Sequence, residues 1–336
     1  MSAPLIELDA AGRHFGAVTA LYPFSLAIEE GPAPILAVAG ESGSGKTTLA
    51  SLLLGFIAPT TGELRYRGRP LGQLHGGARR AYRREIQAIF QDPFSVYNPF
   101  YRVDHALTEP LRLFGLAPSR RAARAMLEAA CVRVGLHPAD TLGRYPHQLS
   151  GGQRQRLMVA RALLLQPKLL IADEPASMID ASLRALVLGS LRTLNSEFGI
   201  PIVYITHDLA TAYHVAHSIV VLYRGEVVEA GDAARVITAP LHPYTRQLVD
   251  SIPWPDLETR WGDAPRADTS AALSDGCAFA HRCPRVMPRC RTERPALFAA
   301  APGQVARCLL YEQAPVQDEA TLGPLLQTIL PKETTP

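Results

Sequence analysis

The feature that most constrains the fold is a glycine-rich octapeptide, Gly40-Glu41-Ser42-Gly43-Ser44-Gly45-Lys46-Thr47. It matches the pattern G-x-x-x-x-G-K-[ST] at every fixed position. An apolar run, Ile35 to Ala39, precedes it, and a helical pattern from Thr47 to Phe56 follows, with leucines at 49, 52 and 53. A strand, a glycine turn and a helix in this order predict an α/β fold with a phosphate-binding loop.

A loop of this kind is suited to a nucleoside triphosphate and Mg²⁺. Its glycines let backbone N–H groups turn toward phosphate oxygens, and the positive end of the following helix adds to the attraction. Lys46 is predicted to neutralise β- and γ-phosphate oxygens, and the Thr47 hydroxyl is predicted to hold Mg²⁺. We therefore predict that all eight loop residues and Thr48 bind the nucleotide. The alternative is a glycine-rich turn without chemical function, and the flanking strand and helix disfavour it.

Two carboxylates end a second apolar run. Leu169 to Ala172 is followed directly by Asp173 and Glu174. Asp173 is predicted to complete the Mg²⁺ shell through water, and Glu174 to polarise the attacking water. By themselves the two acids could equally cap a loop. Because they follow a phosphate loop in the chain, we interpret them as catalytic.

Composition favours a globular protein with one large α/β domain and a smaller appendage. Of 336 residues, 47% are hydrophobic and 19% are charged, and the net charge of +3 is too small to imply nucleic-acid binding. No apolar run approaches the roughly 18 residues needed to span a bilayer. The first ten residues do not resemble a signal peptide. We expect the chain in the cytoplasm, where thiols stay reduced.

Further elements can be placed along the chain. Alternating apolar residues predict strands within 5–28, and amphipathic patterns predict helices at 119–135 and 151–166. Ile202 to Ile205 is a candidate buried strand that leads toward His207. Beyond residue 236 the composition changes, since 13 of the 28 prolines and four of the five cysteines lie there. This change predicts a separate, loop-rich C-terminal unit, with a flexible tail after about residue 312.

The segment Leu149-Ser150-Gly151-Gly152-Gln153, followed by Arg154-Gln155-Arg156, lies 23 positions before Asp173 when counted from Ser150. It resembles the LSGGQ signature of ATP-binding-cassette (ABC) ATPases. Ser150 and the two glycines can open a helix and offer N–H donors to an anion. Alone, the segment could be an ordinary helix N-cap.

The resemblance to ABC ATPases covers residues 5 to about 235 and implies further site residues. Gln91 is similar to the Q-loop glutamine that senses Mg²⁺ and the transmembrane partner, and His207 to the switch histidine that contacts the γ-phosphate. Residues 177–180 resemble the D-loop, with its aspartate at Asp180 and with Ile179 in place of the usual leucine. Phe15 matches the aromatic residue that stacks on adenine, although it could also be a core phenylalanine.

The same resemblance implies the fold of a P-loop NTPase with an ABC-type nucleotide-binding domain. This domain, residues 1–236, would contain a RecA-like core, an antiparallel β subdomain and a helical subdomain at about 92–160. Residues 237–310 resemble the extension on ATP-binding subunits of oligopeptide and dipeptide importers. The matching stretches are His242-Pro243-Tyr244-Thr245, Arg246-Gln247-Leu248, Gly276-Cys277-Ala278-Phe279 and Arg282-Cys283-Pro284. We therefore predict a second domain at 237–312 and a tail at 313–336.

Four cysteines lie in this second domain: Cys277, Cys283, Cys290 and Cys308. In a reducing compartment such a group suggests a metal site more than disulfides. The spacing lacks the C-x-x-C pairs of zinc ribbons but could serve a [4Fe–4S] cluster, which the resembled importer family sometimes carries. Its negative charge would be offset by Arg282, Arg285, Arg289 and Arg291. Zinc or plain reduced thiols are the alternatives, and Cys131 is predicted to be a buried small hydrophobe.

The resemblance implies a function as the ATP-hydrolysing subunit of an importer for di- and oligopeptides. Two such domains would enclose two Mg·ATP, each between one chain's phosphate loop and the partner's signature. The implied partners are a related second ATPase subunit, two transmembrane permease subunits and, indirectly, an extracytoplasmic binding protein, but no nucleic acid. The chain would be peripheral on the cytoplasmic face of the cell membrane.

Three alternatives remain open on the sequence. The cargo could instead be nickel, glutathione, a sugar or an antimicrobial peptide, in an importer or an exporter. The chain could be a soluble ABC ATPase of translation or DNA maintenance, although those usually carry two cassettes or a long coiled coil. It could also be a regulatory ATP-binding protein with little turnover.

Overall fold

The computed structural model describes residues 3–31, 34–90, 97–177, 181–252, 275–317 and 322–327. Its strands are β1 (Ile6–Phe15), β2 (Val18–Ile28), β3 (Ile35–Ala39), β4 (Thr61–Tyr66), β5 (Arg69–Pro70), β6 (Ile86–Ile89), β7 (Leu169–Asp173), β8 (Ile202–Thr206), β9 (Ser218–Tyr223), β10 (Glu226–Asp232), β11 (Phe298–Ala301) and β12 (Gln304–Ala306).

The described α-helices are α1 (Lys46–Leu53), α2 (Gly76–Glu85), α3 (Val103–Phe114), α4 (Arg120–Arg133), α5 (Pro138–Thr141), α6 (Gly151–Leu164), α7 (Ala181–Phe198), α8 (Leu209–Val215), α9 (Ala233–Thr238), α10 (Pro243–Asp250) and α11 (Leu322–Gln327). Short 3₁₀ turns occur at Leu71–Gln73, Pro146–Gln148, Pro288–Arg291 and Leu309–Tyr311.

Two sheets organise the fold. The larger has eight strands in the order β11-β12-β10-β9-β3-β8-β7-β6, and its β9-β3-β8-β7-β6 part is parallel. The smaller is antiparallel, with four strands in the order β2-β1-β4-β5. A parallel core with a separate antiparallel sheet and a group of helices between β6 and β7 is the predicted α/β architecture.

The strand that leads into the phosphate loop is buried on both faces. Along β3, Ile35, Ala37 and Ala39 pack into a core shared with α3, α4 and α6. Leu36 and Val38 point the other way, into a core shared with α1 and the antiparallel sheet. Continuous apolar character is expected for a parallel strand covered on both sides. The loop after β3 is therefore held by two packed layers.

The predicted elements of the core are present, with small shifts at their ends. The helices predicted at 119–135 and 151–166 are α4 and α6, and the strands at 169–172 and 202–205 are β7 and β8. Helix α1 ends at Leu53 instead of Phe56. Gly55 follows with φ +67°, a left-handed backbone that stops a helix and suits glycine.

The C-terminal unit, predicted to be separate, contributes to the core sheet. Strand β12 pairs with β10 in the register Glu229–Ala306, Ala230–Val305 and Gly231–Gln304. The buried Glu229 carboxylate accepts hydrogen bonds from the N–H groups of Leu241 and His242, each at 2.9 Å, and from the Gln304 side chain at 2.7 Å. Strand β10 would otherwise be an open edge, and an added strand satisfies its backbone groups.

The predicted flexible tail contains helix α11. Its Leu322 and Leu326 are buried in the core that α1 and the antiparallel sheet share. Two leucines at positions i and i+4 lie on one helix face, so six residues suffice to cover an apolar surface. A helix with two buried leucines thus lies within the segment predicted to be a flexible tail, and the limits of that tail stay a prediction; residues 318–321 and 328–336 lie outside the described part.

Candidate ATP-binding site

The phosphate loop leaves β3 at Gly40, as predicted, and enters α1 at Lys46, one residue before the predicted start of the helix. Gly40 and Gly45 have φ of +149° and +105°, a region that side chains disfavour. A Cβ at Gly45 would lie 2.6 Å from the Ala20 carbonyl oxygen, and one at Gly40 would overlap the Leu222 carbonyl oxygen. Glycine is needed at both positions because the loop packs directly against neighbouring backbone.

Lys46 is the buried cation of this loop. Its ammonium donates to the carbonyl oxygens of Gly40 at 2.7 Å and Glu41 at 2.8 Å. Burial lowers the pKa of Lys46, and the charges of Glu174, Asp173 and Glu41 act against this lowering. A positive charge inside a glycine loop, facing carboxylates that favour its charged form, can bind phosphate oxygens.

The loop opens onto a cavity of about 720 Å³. This volume lies within the range of roughly 300 to 1,000 Å³ that is typical of small-molecule sites. Six predicted loop and helix residues line it: Ser42, Gly43, Gly45, Lys46, Thr47 and Thr48. Phe15 and Glu174 line it as well. The cavity wall therefore combines glycine backbone, hydroxyls, a cation, an aromatic ring and a carboxylate. This set of groups fits a Mg-nucleoside triphosphate.

Phe15 is not a core residue. It is 48% exposed at the end of β1, and the guanidinium carbon of Arg13 lies 4.7 Å from its ring centroid. A cation on one side of an aromatic ring leaves the rest of its surface free for stacking. The alternative of a core phenylalanine is therefore wrong, and the ring can stack on a planar base.

The two carboxylates stand at the end of β7, beside the end of β8. The Glu174 N–H donates to the Ile205 carbonyl at 2.9 Å, and Glu174 Oε1 lies 3.0 Å from His207 Nδ1. Burial raises the pKa of Asp173, the charge of Glu174 raises it further, and Lys46 opposes both. Parallel strands bring their carboxyl ends to one edge of the sheet, and ligands bind there in α/β folds.

The predicted signature forms the N-terminus of α6. The Ser150 hydroxyl accepts from the Gln153 N–H at 3.2 Å, and the Gln153 side chain accepts from the Ser150 N–H at 2.9 Å. This is a capping box with Ser150 as the N-cap of α6, an arrangement that fits both the signature and the N-cap interpretation. Among the described residues that line the cavity, none belongs to 150–153. The structure thus does not bring Ser150, Gly151, Gly152 and Gln153 into the chain's own cavity.

Gln91 and Asp180, the predicted Q-loop and D-loop residues, lie outside the described residues. The start of the D-loop is described: the Ser177 hydroxyl donates to the Glu174 carbonyl at 3.0 Å. Nearby, the buried Gln155 of α6 donates to the Pro175 carbonyl at 2.6 Å. Helix α6 is therefore attached to the segment that follows Glu174.

Four residues of the cavity wall were not predicted from the sequence: Val18, Thr19, Ala20 and Arg224. Val18, Thr19 and Ala20 begin β2, and Arg224 occupies the turn between β9 and β10 with φ +47°. The only available signal for Arg224 was the following Gly225, which marks a turn but carries no phosphate motif.

The iron–sulfur prediction is not supported. Within the described part of the chain, which includes all four cysteines, no group of three or more His, Cys, Asp or Glu residues is placed to hold a metal ion. Burial raises the pKa of Cys277 and of Cys308 to about 11, which favours protonated thiols. Cys131 is buried in the core, as predicted.

The arginines predicted to offset a cluster's charge have other partners. Arg282 forms a bidentate pair with Glu41 of the phosphate loop, and Arg289 pairs with Glu293 and Glu312. These two arginines therefore pair with carboxylates, and their predicted role beside a cluster has no support because the cluster itself has none.

Comparisons with known proteins agree with this geometry. Residues 21–177 match the ABC transporter family, and residues 228–290 match the oligopeptide/dipeptide transporter C-terminal region. The oligopeptide transport ATP-binding protein OppF of Escherichia coli is 40% identical over 270 residues, which cover 78% of this chain and 80% of OppF. YkfD of Bacillus subtilis is 37% identical over 329 residues, which cover 94% and 98%.

A solved structure gives the same result for the fold. The ATP-binding cassette MJ0796, a dimer in a post-hydrolysis state bound to ADP and Pi, superposes with a TM-score of 0.60 at 28% identity. The match covers 68% of this chain and 98% of that cassette.

The chain belongs to the ATP-binding proteins of the ABC transporter family, and its activity is that of an ATPase. Within the described residues, no helix combines the length and apolarity required for a membrane crossing.

Proposed function

We propose that this chain is the ATP-hydrolysing subunit of an importer for di- and oligopeptides, bound to the cytoplasmic face of the cell membrane. The observation that carries the proposal is similarity at both ends of the chain. The whole chain is similar to YkfD, over 94% of its own length and 98% of YkfD, and residues 228–290 match the C-terminal region of oligopeptide/dipeptide transporters.

The geometry supports a division of roles within the ATP site. Phe15 stacks on adenine, the loop from Gly40 to Thr47 surrounds the phosphates, and Lys46 neutralises phosphate oxygens. Thr47 and Asp173 would hold Mg²⁺, which supplies charge neutralisation when bound. Glu174 accepts a proton from the attacking water. His207, 3.0 Å from Glu174, orients that carboxylate and contacts the γ-phosphate.

The signature is assigned to the nucleotide of a partner subunit. The Ser150 hydroxyl and the N–H groups of Gly151 and Gly152 lie at the start of α6, outside the chain's own cavity. Two cassettes placed head to tail would therefore complete both sites. We propose a related second ATPase as partner, together with two transmembrane subunits that dock near Gln91, and an extracytoplasmic binding protein that acts through them. Asp180 would lie at the seam between the cassettes.

The cofactors of the proposal are ATP and Mg²⁺. An iron–sulfur cluster is not part of it, because the structure does not support a metal site at the four cysteines. The domain limits also remain proposals: a cassette at 1–236 with a helical subdomain at about 92–160, and a C-terminal domain at 237–312.

The role of Asp173 can be measured through the Mg²⁺ requirement. Asp173→Asn removes a carboxylate whose position beside Lys46 suits a cation shell. We expect the Mg²⁺ concentration for half-maximal ATPase activity to rise about tenfold or more, since second-shell partners of metals typically contribute 10- to 100-fold in affinity. Asp250→Asn, at the end of α10, is the control and should leave the Mg²⁺ titration unchanged. An unchanged titration in Asp173→Asn would remove Asp173 from the site.

The cargo is tested by uptake. Cells that lack this chain should lose accumulation of a radiolabelled tripeptide by about tenfold or more, because a transport ATPase supplies the only free-energy source of its importer. Uptake of a free amino acid by the same cells is the control. Re-expression of the chain should restore tripeptide uptake. Unchanged tripeptide accumulation, with loss of nickel, glutathione or sugar uptake instead, would assign a different cargo.

A further inference from the structure

The C-terminal unit touches the phosphate loop directly, at Glu41. The two terminal nitrogens of Arg282 donate to the two carboxylate oxygens of Glu41, at 2.8 and 2.9 Å. The Tyr244 hydroxyl accepts a hydrogen bond from the Glu41 N–H at 2.8 Å. Both contacts join residues more than 200 positions apart in sequence. The second residue of the loop is therefore fixed at its backbone and at its side chain by residues outside the cassette.

The groups that hold Glu41 are themselves rigidly placed. Tyr244 is fully buried, and its ring lies 4.5 Å from that of Tyr223 and 5.4 Å from that of Phe279, centroid to centroid. The Arg282 guanidinium carbon is 5.6 Å from the Phe279 centroid, and its side chain is only 14% exposed. An arginine packed among aromatic rings has little freedom left to lose when it forms a bidentate pair.

The Glu41 carboxylate also has an electrostatic effect on the phosphate site. It lies close enough to Lys46 to favour the charged form of that ammonium. The carbonyl of Glu41 accepts from Lys46 at 2.8 Å and from the Ser44 N–H at 3.1 Å. A carboxylate in this position would repel a triphosphate, and the paired guanidinium cancels its charge. The loop can then present Lys46 to phosphate oxygens without the opposing negative charge of Glu41.

We propose that Arg282 and Tyr244 are positioning residues of the ATP site: the C-terminal unit neutralises and anchors Glu41, and through it sets the affinity of the phosphate loop for Mg·ATP. This goes beyond the proposed transport function, since it assigns the C-terminal unit a role in nucleotide binding. It predicts that changes in that unit alter ATP affinity without touching the nucleotide.

The test is a double-mutant cycle on the purified full-length chain, with Mg·mant-ATP as the probe in equilibrium fluorescence titrations. We expect Arg282→Ala to weaken binding about fivefold at low salt, as for a partly exposed charge pair, and Arg282→Lys to be intermediate. In the background of Glu41→Gln, the same Arg282→Ala change should have no effect, because the carboxylate it neutralises is absent. Salt near 1 M should reduce the fivefold difference.

Two further variants separate positioning from folding. Tyr244→Phe keeps the buried ring but removes the acceptor for the Glu41 N–H, and we expect binding to weaken by about twofold to threefold, with little salt dependence. Arg289→Ala removes surface ion pairs from the same unit and should leave affinity unchanged. Circular dichroism and thermal melting establish that each variant is folded, with Arg282→Lys available if the alanine variant is not.

The outcomes are distinguishable. Wild-type affinity in the folded Arg282 variants would overturn the proposal. A loss of affinity that persists in the Glu41→Gln background would also overturn it, because Arg282 would then act through the fold of the C-terminal unit. Failure of the wild-type chain to bind the probe would instead contradict the ATP site itself.

Discussion

Replacement of Glu174 by glutamine is expected to lower the ATPase kcat about 10²- to 10⁴-fold, the range of a general base. The amide keeps the size of the side chain and its place 3.0 Å from His207, but it cannot accept the proton of the attacking water. ATP affinity should stay within about twofold of the wild-type value. A group that acts only in the transition state contributes little to binding of the substrate, so its removal lowers kcat and not affinity. The variant should therefore hold ATP without turning it over.

The measurement pairs steady-state phosphate release with an equilibrium titration of Mg·mant-ATP, on the chain and on the complex recovered from membranes. Glu63→Gln is the matched control: the same change is made at an exposed carboxylate of β4, which pairs with Arg65. Glu63→Gln should leave both the rate of phosphate release and the affinity for Mg·mant-ATP unaltered. Turnover by Glu174→Gln near the wild-type rate would show that another group activates the water.

The sequence predicted those parts of the site that depend on local chemistry. The order strand, glycine turn, helix around Gly40–Thr47 can be read directly, because each step has its own residue requirement. Asp173 and Glu174 could be placed at a strand end because the preceding residues are uniformly apolar. The edge of the sheet then brings Glu174 to His207, although they are 33 positions apart in the sequence.

The parts that were missed or wrong depend on contacts distant in sequence. No local pattern indicates that Arg282 pairs with Glu41 or that Arg224 lines the cavity, since both arginines look like ordinary surface residues. The hydrogen bonds between Glu229 and the C-terminal unit were also not predicted. A carboxylate can be identified as buried only when the groups that donate hydrogen bonds to it are known. Helix α11 lies in the segment predicted as a tail, because proline and polar residues around it mask one pair of leucines. Composition indicates average exposure, whereas these contacts are decided by topology.

The second large effect is expected at Lys46. In Lys46→Ala, the only buried cation that the described residues place in the phosphate loop is lost, while the carboxylates of Asp173, Glu174 and Glu41 remain close by. We expect affinity for Mg·mant-ATP to fall about 100-fold, the equivalent of about 2.7 kcal/mol. Lys46→Arg should also bind weakly, because a planar guanidinium cannot replace a compact ammonium held between two carbonyl oxygens.

Lys168→Ala is the control for this prediction, since Lys168 is half exposed and pairs with Glu30 on the surface. Its affinity should equal that of the wild type. A comparison of Lys46→Ala with Arg282→Ala distinguishes a direct effect on the phosphates from an effect through Glu41. In the proposed site Lys46 acts on the phosphates themselves, so the affinity lost in Lys46→Ala should also be lost in the Glu41→Gln background, where the effect of Arg282→Ala is expected to vanish. Affinity within about threefold of wild type in folded Lys46→Ala would mean that backbone N–H groups and Mg²⁺ dominate phosphate binding and that the lysine serves to close the empty loop.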